Sequence, residues 1–340
     1  MDPLSLTRRL VNIESITGNE AAVGEFVLRE MSALGFETRK MPVPFPADVE
    51  PHGRERFNVY ACTPNKRPEV VFSTHMDTVP PFIPSSEDGE RIYGRGSCDA
   101  KGIMAAQIAA ALRLRAEGVD VGMLYVVGEE RDSLGAVTAN NHAPGCKYLI
   151  NGEPTDNRLA LLSKGSLRVQ LTAKGRMAHS AYPELGESAI DKLLTALERL
   201  RSMPLPVNEE VGAATLNIGT IEGGRAPNVI PDFARAQLQY RLVGSSEQLR
   251  REIEDAVRDL ATAEFVLEIP FVKLIAVPGF DTMVAAFTTD IPNLSNWGKP
   301  LLLGPGSIHT AHTDREFIAK KELLHAVELY AELARKLARC

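Results

Sequence analysis

The sequence predicts an α/β fold in which a smaller domain is inserted into a larger one. Three observations support this prediction. Apolar strand-like runs alternate with helical periodicity in the first half of the chain, a period of two begins at about Lys164, and the first pattern returns after residue 275. A chain of 340 residues also exceeds the size of one average hydrophobic core.

The larger domain is predicted over residues 1–163 and 276–340. Its strand-like runs are apolar throughout, as in a sheet buried on both faces, and glycines stand where its first helices should end. The predicted elements are, in order, helices at 4–15 and 19–35, a strand at 69–74, a helix at 101–118, strands at 121–128 and 147–152, a strand at 299–306 and a helix at 317–338.

The insertion is predicted over residues 164–275. Alternating runs and two amphipathic segments follow one another there in the order β-α-β-β-α-β, which is a known supersecondary motif. The predicted elements are a strand at 166–175, a helix at 187–202, strands at 214–224 and 234–244, a helix at 246–261 and a strand at 264–270.

Charge and composition argue against several classes of partner. The net charge is −6, and no stripe of Lys or Arg is present that would bind nucleic acid. No apolar run reaches the roughly 18 residues of a membrane span, and the start has no secretory signal pattern, so we expect a cytoplasmic protein without a membrane partner. Scattered cysteines predict reduced thiols rather than disulfides or zinc ligands. They are Cys62, Cys98, Cys146 and Cys340.

Acidic and histidine side chains follow each predicted strand of the larger domain. Because ligands bind beyond the carboxyl ends of the strands in open α/β sheets, we expect these side chains to converge there. The cluster would lose solvation and repel itself unless a cation held it. The side chains are His75 and Asp77, Asp99 in a glycine-rich turn, Glu129 and Glu130, Glu153, and His309 and His312.

A pair of divalent ions would satisfy this cluster. Two such ions carry a charge of +4, which offsets the three negative charges of Asp99, Glu130 and Glu153 and leaves room for a hydroxide. Mixed imidazole and carboxylate donors suit zinc, with cobalt or manganese as alternatives. Each residue alone could instead have a purely structural role, as a surface histidine, a helix cap or part of a solvated turn. The prediction therefore rests on the placement of all these residues together. Because they follow no such strand, His52, His142 and His325 are expected to be structural or surface residues.

Seven short motifs resemble those of the M20 metallopeptidases, the family of acetylornithine deacetylase, succinyl-diaminopimelate desuccinylase and carboxypeptidase G2. They are HMDTVP, GRGSCDAKG, GEE, NGEPT, AHSAYP, GGRAPNVIP and GPG followed by AHTDRE, in the family's order and at its spacing. The resemblance implies a mixed-sheet, zinc-peptidase-like catalytic domain with an inserted ferredoxin-like dimerisation or lid domain. It also implies two divalent metal ions per chain.

The resemblance implies a role for each clustered residue. His75 and Glu153 would bind one ion, Glu130 and His312 the other, and Asp99 would bridge them, with a cis peptide bond after it. Asp77 would hold the second nitrogen of the His75 imidazole and fix its tautomer. Glu129 would be the general base of amide hydrolysis. His309 competes with His312, and the spacing to Glu316 favours His312.

The inserted domain would supply the remaining site residues. By resemblance, His179 would reach across a homodimer interface to donate to the tetrahedral oxyanion. A substrate carboxylate would meet Arg225, Asn228, Lys164 and Arg241, since guanidinium groups bind carboxylates through paired hydrogen bonds. His179 could instead be an ordinary loop histidine, and Arg225 and Lys164 could simply be solvated.

Three functions are compatible with these features. The leading expectation is a dinuclear metal-dependent hydrolase of N-acyl amino acids, of the acetylornithine deacetylase or succinyl-diaminopimelate desuccinylase type. A dipeptidase, tripeptidase or carboxypeptidase acting on short peptides is the alternative, and a non-catalytic binding protein is a third. Three departures from the family pattern leave the substrate open. Gly128 stands where an Asp or Asn often precedes the Glu pair, Tyr240 stands where an acidic residue is common, and the stretch PNLSNWGKP before the last strand replaces a Thr-Asp-type signature of several relatives.

Overall fold

The computed structural model describes residues 1–46, 49–51 and 54–338. His52 and Cys340, expected to be a structural or surface histidine and a reduced thiol, lie outside these residues. The three cysteines inside them, Cys62, Cys98 and Cys146, are buried free thiols. Within the described residues, none of the helices combines the length and the apolar character that crossing a membrane requires.

Seven α-helices and twenty strands follow one another along the described chain. The helices are α1 (Pro3–Val11), α2 (Ala21–Ala33), α3 (Lys101–Ala116), α4 (Leu134–Asn140), α5 (Ala189–Ser202), α6 (Glu247–Val257) and α7 (Lys320–Leu337). The strands are β1 (Glu37–Pro42), β2 (Phe57–Cys62), β3 (Val70–His75), β4 (Ser86–Glu87), β5 (Arg91–Tyr93), β6 (Val121–Val126), β7 (Tyr148–Asn151), β8 (Leu159–Ser163), β9 (Gly165–Lys174), β10 (Ala178–His179), β11 (Val207–Asn208), β12 (Gly212–Ala213), β13 (Thr215–Gly223), β14 (Val229–Ile230), β15 (Phe233–Leu242), β16 (Thr262–Ile269), β17 (Val272–Lys273), β18 (Thr282–Ala285), β19 (Lys299–Leu302) and β20 (Phe317–Ala319).

The chain divides into two compact units. Unit 1 comprises Met1–Leu161, Leu274–Met283 and Thr289–Cys340, and unit 2 comprises Leu162–Lys273 and Val284–Thr288. The second segment of unit 2 differs from the boundaries expected from the sequence, which placed it in the larger domain. It joins unit 2 because the Lys164 N–H donates to the carbonyl of Ala285, and the Ser163 hydroxyl donates to that of Phe287. Pairing between segments so far apart leaves no local signal in the sequence.

Unit 1 is built on a six-stranded mixed sheet with the order β1-β2-β6-β3-β7-β19. Strands β6, β3, β7 and β19 are mutually parallel, whereas β2 is antiparallel to both of its neighbours. Every residue of β3 and of β6 is buried, which explains their unbroken apolar character. The four parallel strands therefore end at one edge of the sheet.

Unit 2 has an antiparallel sheet with the order β13-β15-β9-β16. Its principal elements follow one another as β9, α5, β13, β15, α6 and β16. Side chains along β15 alternate between buried and more exposed, and the buried set packs with the apolar faces of α5 and α6 in a core of its own. Ser188 begins α5 by accepting the N–H of Asp191 at its hydroxyl.

Candidate active site

Four chain segments bring acidic and histidine side chains to the carboxyl edge of the parallel strands in unit 1. His75 is the last residue of β3, the Glu129–Glu130 pair follows β6, and Glu153 lies just beyond β7. Asp99 immediately precedes the residue that caps α3. Adjacent parallel strands therefore deliver these side chains to one place, as expected from the sequence.

Two groups of three potential ligands share one carboxylate. His75, Asp99 and Glu153 form the first group, and Asp99, Glu130 and His312 form the second, with the ligand atoms of each group within 4.8 Å of one another. His75 Nε2 lies 3.0 Å from Asp99 Oδ1 and 3.9 Å from Glu153 Oε2. On the other side, His312 Nε2 lies 3.3 Å from Asp99 Oδ2 and 2.9 Å from Glu130 Oε1. Asp99 thus offers one oxygen to each group.

The electrostatics of these groups favour bound positive charge. Burial and the charge of Asp99 raise the pKa of Glu153 well above its usual range, although His75 opposes this. Asp99 and Glu130 raise the pKa of His312 to about 10. Asp99 itself has a lowered pKa, because the imidazoles of His312 and His75 outweigh the effect of its burial. The cluster therefore attracts cations, whether protons or metal ions.

The residues present fit a pair of metal ions. Glu153 Oε1 is buried and has no hydrogen-bond partner among the described residues, which leaves a carboxylate oxygen that a cation would satisfy. Each group offers one imidazole nitrogen and two carboxylates, a donor set that suits zinc, cobalt or manganese better than calcium. His309, the competing ligand, is exposed and belongs to neither group.

Asp77 contacts both the His75 imidazole and the main chain of the glutamate turn. The Nδ1 atom of His75 lies 3.0 Å from the Asp77 carbonyl oxygen but 3.6 Å from its carboxylate. The buried carboxylate accepts the N–H groups of Gly128, Glu129 and Glu130 at 2.9, 3.2 and 3.2 Å. It also accepts the Thr17 hydroxyl. Asp77 therefore holds the turn that carries the glutamate pair, a role that the sequence did not indicate, and its expected role in fixing the His75 tautomer stays a prediction.

A second buried carboxylate holds the loop around Asp99. Glu316 Oε1 accepts the N–H groups of Gly96, Cys98 and Asp99 at 2.9, 3.1 and 3.1 Å. Its other oxygen pairs with Arg95 at 2.7 Å. The peptide bond between Asp99 and Ala100 is cis, as the resemblance implied. The Cys98 thiol is buried beside this loop and donates weakly to a main-chain carbonyl.

Glu129 belongs to neither group of potential ligands. Its pKa is raised well above the usual range by burial and by the charges of Glu153, Asp290 and Glu130. The carboxylate of its neighbour Glu130 is instead hydrogen-bonded to His312 Nε2. The pair therefore divides, with Glu130 in a ligand group and Glu129 outside both groups.

Unit 2 holds the other expected site residues, at two separate places. His179 in β10 is exposed and lies opposite Val229 of β14, next to Asn228. Arg225 is nearby in sequence and forms an ion pair with Asp232 at 3.1 Å. Asp232 precedes Phe233, the residue that pairs with Lys174 at the end of β9.

Lys164 and Arg241 lie at the opposite end of the same strand pair. Arg241 pairs with Ser166 at the start of β9, and the Lys164 ammonium donates to the carbonyl of Ala213. Burial lowers the pKa of Arg241. A ten-residue strand is about 30 Å long. Within one chain the structure therefore does not bring Lys164 and Arg241 together with Arg225 and Asn228 around one carboxylate, because the two pairs lie near opposite ends of β9.

Five residues near the ligands were not identified from the sequence as site residues. Thr17, Arg56 and Asp132 contact Asp77 or the glutamate turn, and no spacing pattern marks them. Asp290 is buried with neither oxygen hydrogen-bonded within the described chain, and burial raises its pKa to about 7, against the influence of the nearby Ser133 hydroxyl. Glu316 could have been recognised, since it belongs to the AHTDRE motif.

Comparison with known proteins gives consistent similarities. The sequence model of the M20 peptidase dimerisation domain matches residues 161–266. A peptidase M20 domain-containing protein of Schizosaccharomyces pombe is 38% identical over 347 residues, covering 97% of this chain and 83% of the relative. A protein of Aspergillus oryzae named "Probable carboxypeptidase" is 40% identical over 372 residues, covering 97% and 86%. The crystal structure of aminopeptidase PepT from Bacillus cereus has the same fold, with a TM-score of 0.80 at 21% identity over 99% of this chain and 98% of that one.

Proposed function

The chain belongs to the M20 family of metallopeptidases, which hydrolyse peptide amide bonds, and from that premise we propose that it is a dinuclear metal-dependent carboxypeptidase. The observation that carries this proposal is the pair of ligand groups sharing Asp99. His75 and Glu153 would hold one ion, and Glu130 and His312 the other. When bound, two such ions lower the pKa of water and polarise the scissile carbonyl.

Glu129 is the general base of the proposed reaction. Its carboxylate takes a proton from the attacking water and delivers it to the nitrogen of the departing amine. The raised pKa of Glu129 suits this exchange, because a base must later release the proton it accepts. Asp77 holds the main chain of Glu129, which keeps the carboxylate in position while its protonation state changes.

Peptides with a free C-terminal carboxylate are the proposed substrates. The support comes from relatives of about 40% identity that carry the name "Probable carboxypeptidase". N-acyl amino acids contain the same arrangement of amide and carboxylate, so the acetylornithine or succinyl-diaminopimelate specificity expected from the sequence stays a prediction. Arg225 and Asn228 are the proposed carboxylate ligands, because they lie at the end of β9 where His179 lies. Lys164 and Arg241 would bind a more distant part of a substrate.

We also propose that two chains form a homodimer through the ferredoxin-like unit 2, the dimerisation and lid domain. The support is the match of residues 161–266 to the M20 dimerisation domain and the exposed position of His179. If His179 completes the site of the partner chain, mixing His179→Ala and Glu129→Ala chains should restore part of the activity. No recovery in a dimer shown to exchange subunits would contradict sharing. The expected cytoplasmic location stays a prediction.

A substrate panel combined with metal analysis tests the function. The protein is prepared with zinc or cobalt and assayed on N-blocked dipeptides, free dipeptides and tripeptides, acetylornithine and succinyl-diaminopimelate. We expect about two metal ions per chain and the highest kcat/KM on N-blocked dipeptides with a free carboxylate. Glu129→Gln should keep both ions and lose about 10²- to 10⁴-fold in kcat. Two bound ions without hydrolysis of any substrate would instead favour a binding protein.

A further inference from the structure

The turn that carries Glu129 and Glu130 is tight and is closed by hydrogen bonds to the carbonyl of Gly128. The Gly128 carbonyl accepts the N–H groups of Arg131, Asp132 and Ser133 at 3.3, 2.9 and 2.6 Å. Ser133, at the end of the turn, has a left-handed backbone with φ of 51°. Asp77 also holds this turn by accepting three of its N–H groups.

A buried arginine is a further support of the turn. Both terminal nitrogens of Arg56 donate to Asp132, at 3.3 Å to Oδ1 and 3.1 Å to Oδ2. Its Nε donates to Glu20, and Nη1 also donates to the carbonyl of Pro44. The Arg56 residue is 3% exposed, so the pair is desolvated and its geometry is fixed by several partners. Asp132 Oδ1 also accepts the N–H of Leu134, which ties the pair to the start of α4.

Gly128 shows how closely the guanidinium approaches the turn. A Cβ atom built on Gly128 would lie 2.1 Å from Arg56 Nη2 and 2.5 Å from Asp132 Oδ1, far inside any real contact. Gly128 also has φ of 82°, a conformation that favours glycine. The space that an Asp or Asn side chain would use at this position is therefore filled here by the guanidinium of Arg56. That guanidinium packs directly on the main chain preceding Glu129.

We propose that Arg56 and Asp132 are positioning residues for the glutamate pair, acting on Glu129 as the base and on Glu130 as a metal ligand. This inference rests on the roles proposed above for those two glutamates. Neither residue belongs to a group of potential metal ligands, and the pair acts as a clamp that holds the turn together with Asp77. Loss of a partner that orients a ligand typically costs 10- to 100-fold in metal affinity or activity.

The clamp has an asymmetric consequence for the two ions. Glu130 belongs only to the group with His312, whereas His75 and Glu153 are carried by β3 and by the segment after β7. Loosening the turn should therefore weaken the ion held by Glu130 and leave the other nearly unchanged. A general loss of stability would instead weaken both.

The test uses Asp132→Asn and Arg56→Lys in the full-length protein. Asparagine keeps the shape and can still cap Leu134, but it removes the charge and half of the paired acceptors. Lysine keeps the charge and removes the planar fork. Asp259→Asn is the matched control, because Asp259 also pairs with an arginine through both oxygens, at 2.7 and 3.2 Å, but on the surface of unit 2.

The two metal dissociation constants are measured by titrating metal-free protein with zinc against a chelating indicator, and Glu130→Ala and Glu153→Ala assign them. We expect both variants to weaken the ion of the Glu130 group about 10- to 100-fold, with less than about threefold change in the other. On the best substrate, kcat and kcat/KM should fall together with KM nearly unchanged. Asp259→Asn should match the wild type in both metal dissociation constants, in kcat and in KM.

Each outcome decides a separate point. Equal weakening of the two ions, or wild-type constants and kcat in both variants, would overturn the positioning role. Should Asp132→Asn fail to fold, Arg56→Lys gives the same comparison with the buried charge retained. A wild-type protein that binds two ions but hydrolyses nothing would refute the proposed function, and the affinity difference would still test the clamp.

Discussion

Asp290 allows a quantitative prediction, because a buried carboxylate without a partner should destabilise the protein when it ionises. Asp290 is 1% exposed, and neither of its oxygens has a hydrogen-bond partner within the described residues. Burial raises its pKa from the ordinary 3.8 to about 7. At about 1.4 kcal/mol for each factor of ten, the ionised form then costs on the order of 4 kcal/mol in the folded state.

The pH dependence follows from the direction of this change. Below pH 3.8 the carboxyl is protonated in both the folded and the unfolded protein and contributes nothing. As pH rises towards 7, the unfolded chain loses the proton while the folded chain keeps it, so stability falls. Above 7 both states are ionised and the full penalty is present. Asp290→Asn removes the titration and should stabilise by about 2 kcal/mol at pH 5 and about 4 kcal/mol at pH 8.

Urea unfolding of metal-free protein measures this difference. Trp297 is the single tryptophan of the chain and is fully buried in unit 1, so its fluorescence reports the unit that contains Asp290. Asp281→Asn, an exposed aspartate of the same unit, is the control and should change stability little at either pH. An equal gain from Asp290→Asn at pH 5 and pH 8, or no gain at all, would refute the reasoning.

Three further predictions concern the ligand cluster. Asp99→Asn should weaken both ions, whereas His312→Ala should weaken only one, and equal metal loss from the two after dialysis would argue against a shared carboxylate. Asp77→Asn leaves fewer acceptors for three N–H groups and should lower metal affinity about 10- to 100-fold in a chelator titration, so unchanged affinity would contradict the turn-holding role. Gly152 directly precedes Glu153, and Gly152→Ala would place a Cβ atom 2.4 Å from a core side chain. The substitution should lower the free energy of unfolding, measured in urea, by about 1–3 kcal/mol. Wild-type stability would show that the neighbouring side chains can move to accept the methyl group.

The ligands were predictable from the sequence because each one is tied to a local signal. His75 ends an unbroken apolar run, Glu153 closely follows another, and the strand order brings those ends together by a general rule of α/β sheets. The M20 resemblance then added the choice of His312 over His309. Such a pattern is visible in the sequence because a strand that is buried on both faces is apolar along its length, and polar side chains follow only where the strand reaches the site.

The supports around the ligands could not be predicted in the same way. Arg56 and Asp132 form an ion pair although they are 76 positions apart, and the local sequence around either residue does not indicate the other. The M20 resemblance assigned Asp77 to the His75 imidazole, but nothing in the sequence showed that its carboxylate also accepts the amides of a turn some fifty positions away. Side-chain direction at the end of a strand depends on tertiary packing, which periodicity does not encode. The same limit applies to Lys164, whose distance from Arg225 is set by the length of β9.

Asp77 and Glu316 together have a consequence for how the protein takes up and releases metal. Each carboxylate gathers three main-chain amides, one set beside Glu130 and the other beside Asp99, so both ligand-bearing loops are anchored by bonds that involve no ion. Such loops keep their shape when the cluster is stripped by a chelator. Metal ions can then bind again to a preformed site without refolding of these loops. Activity should therefore return at the rate at which metal is supplied.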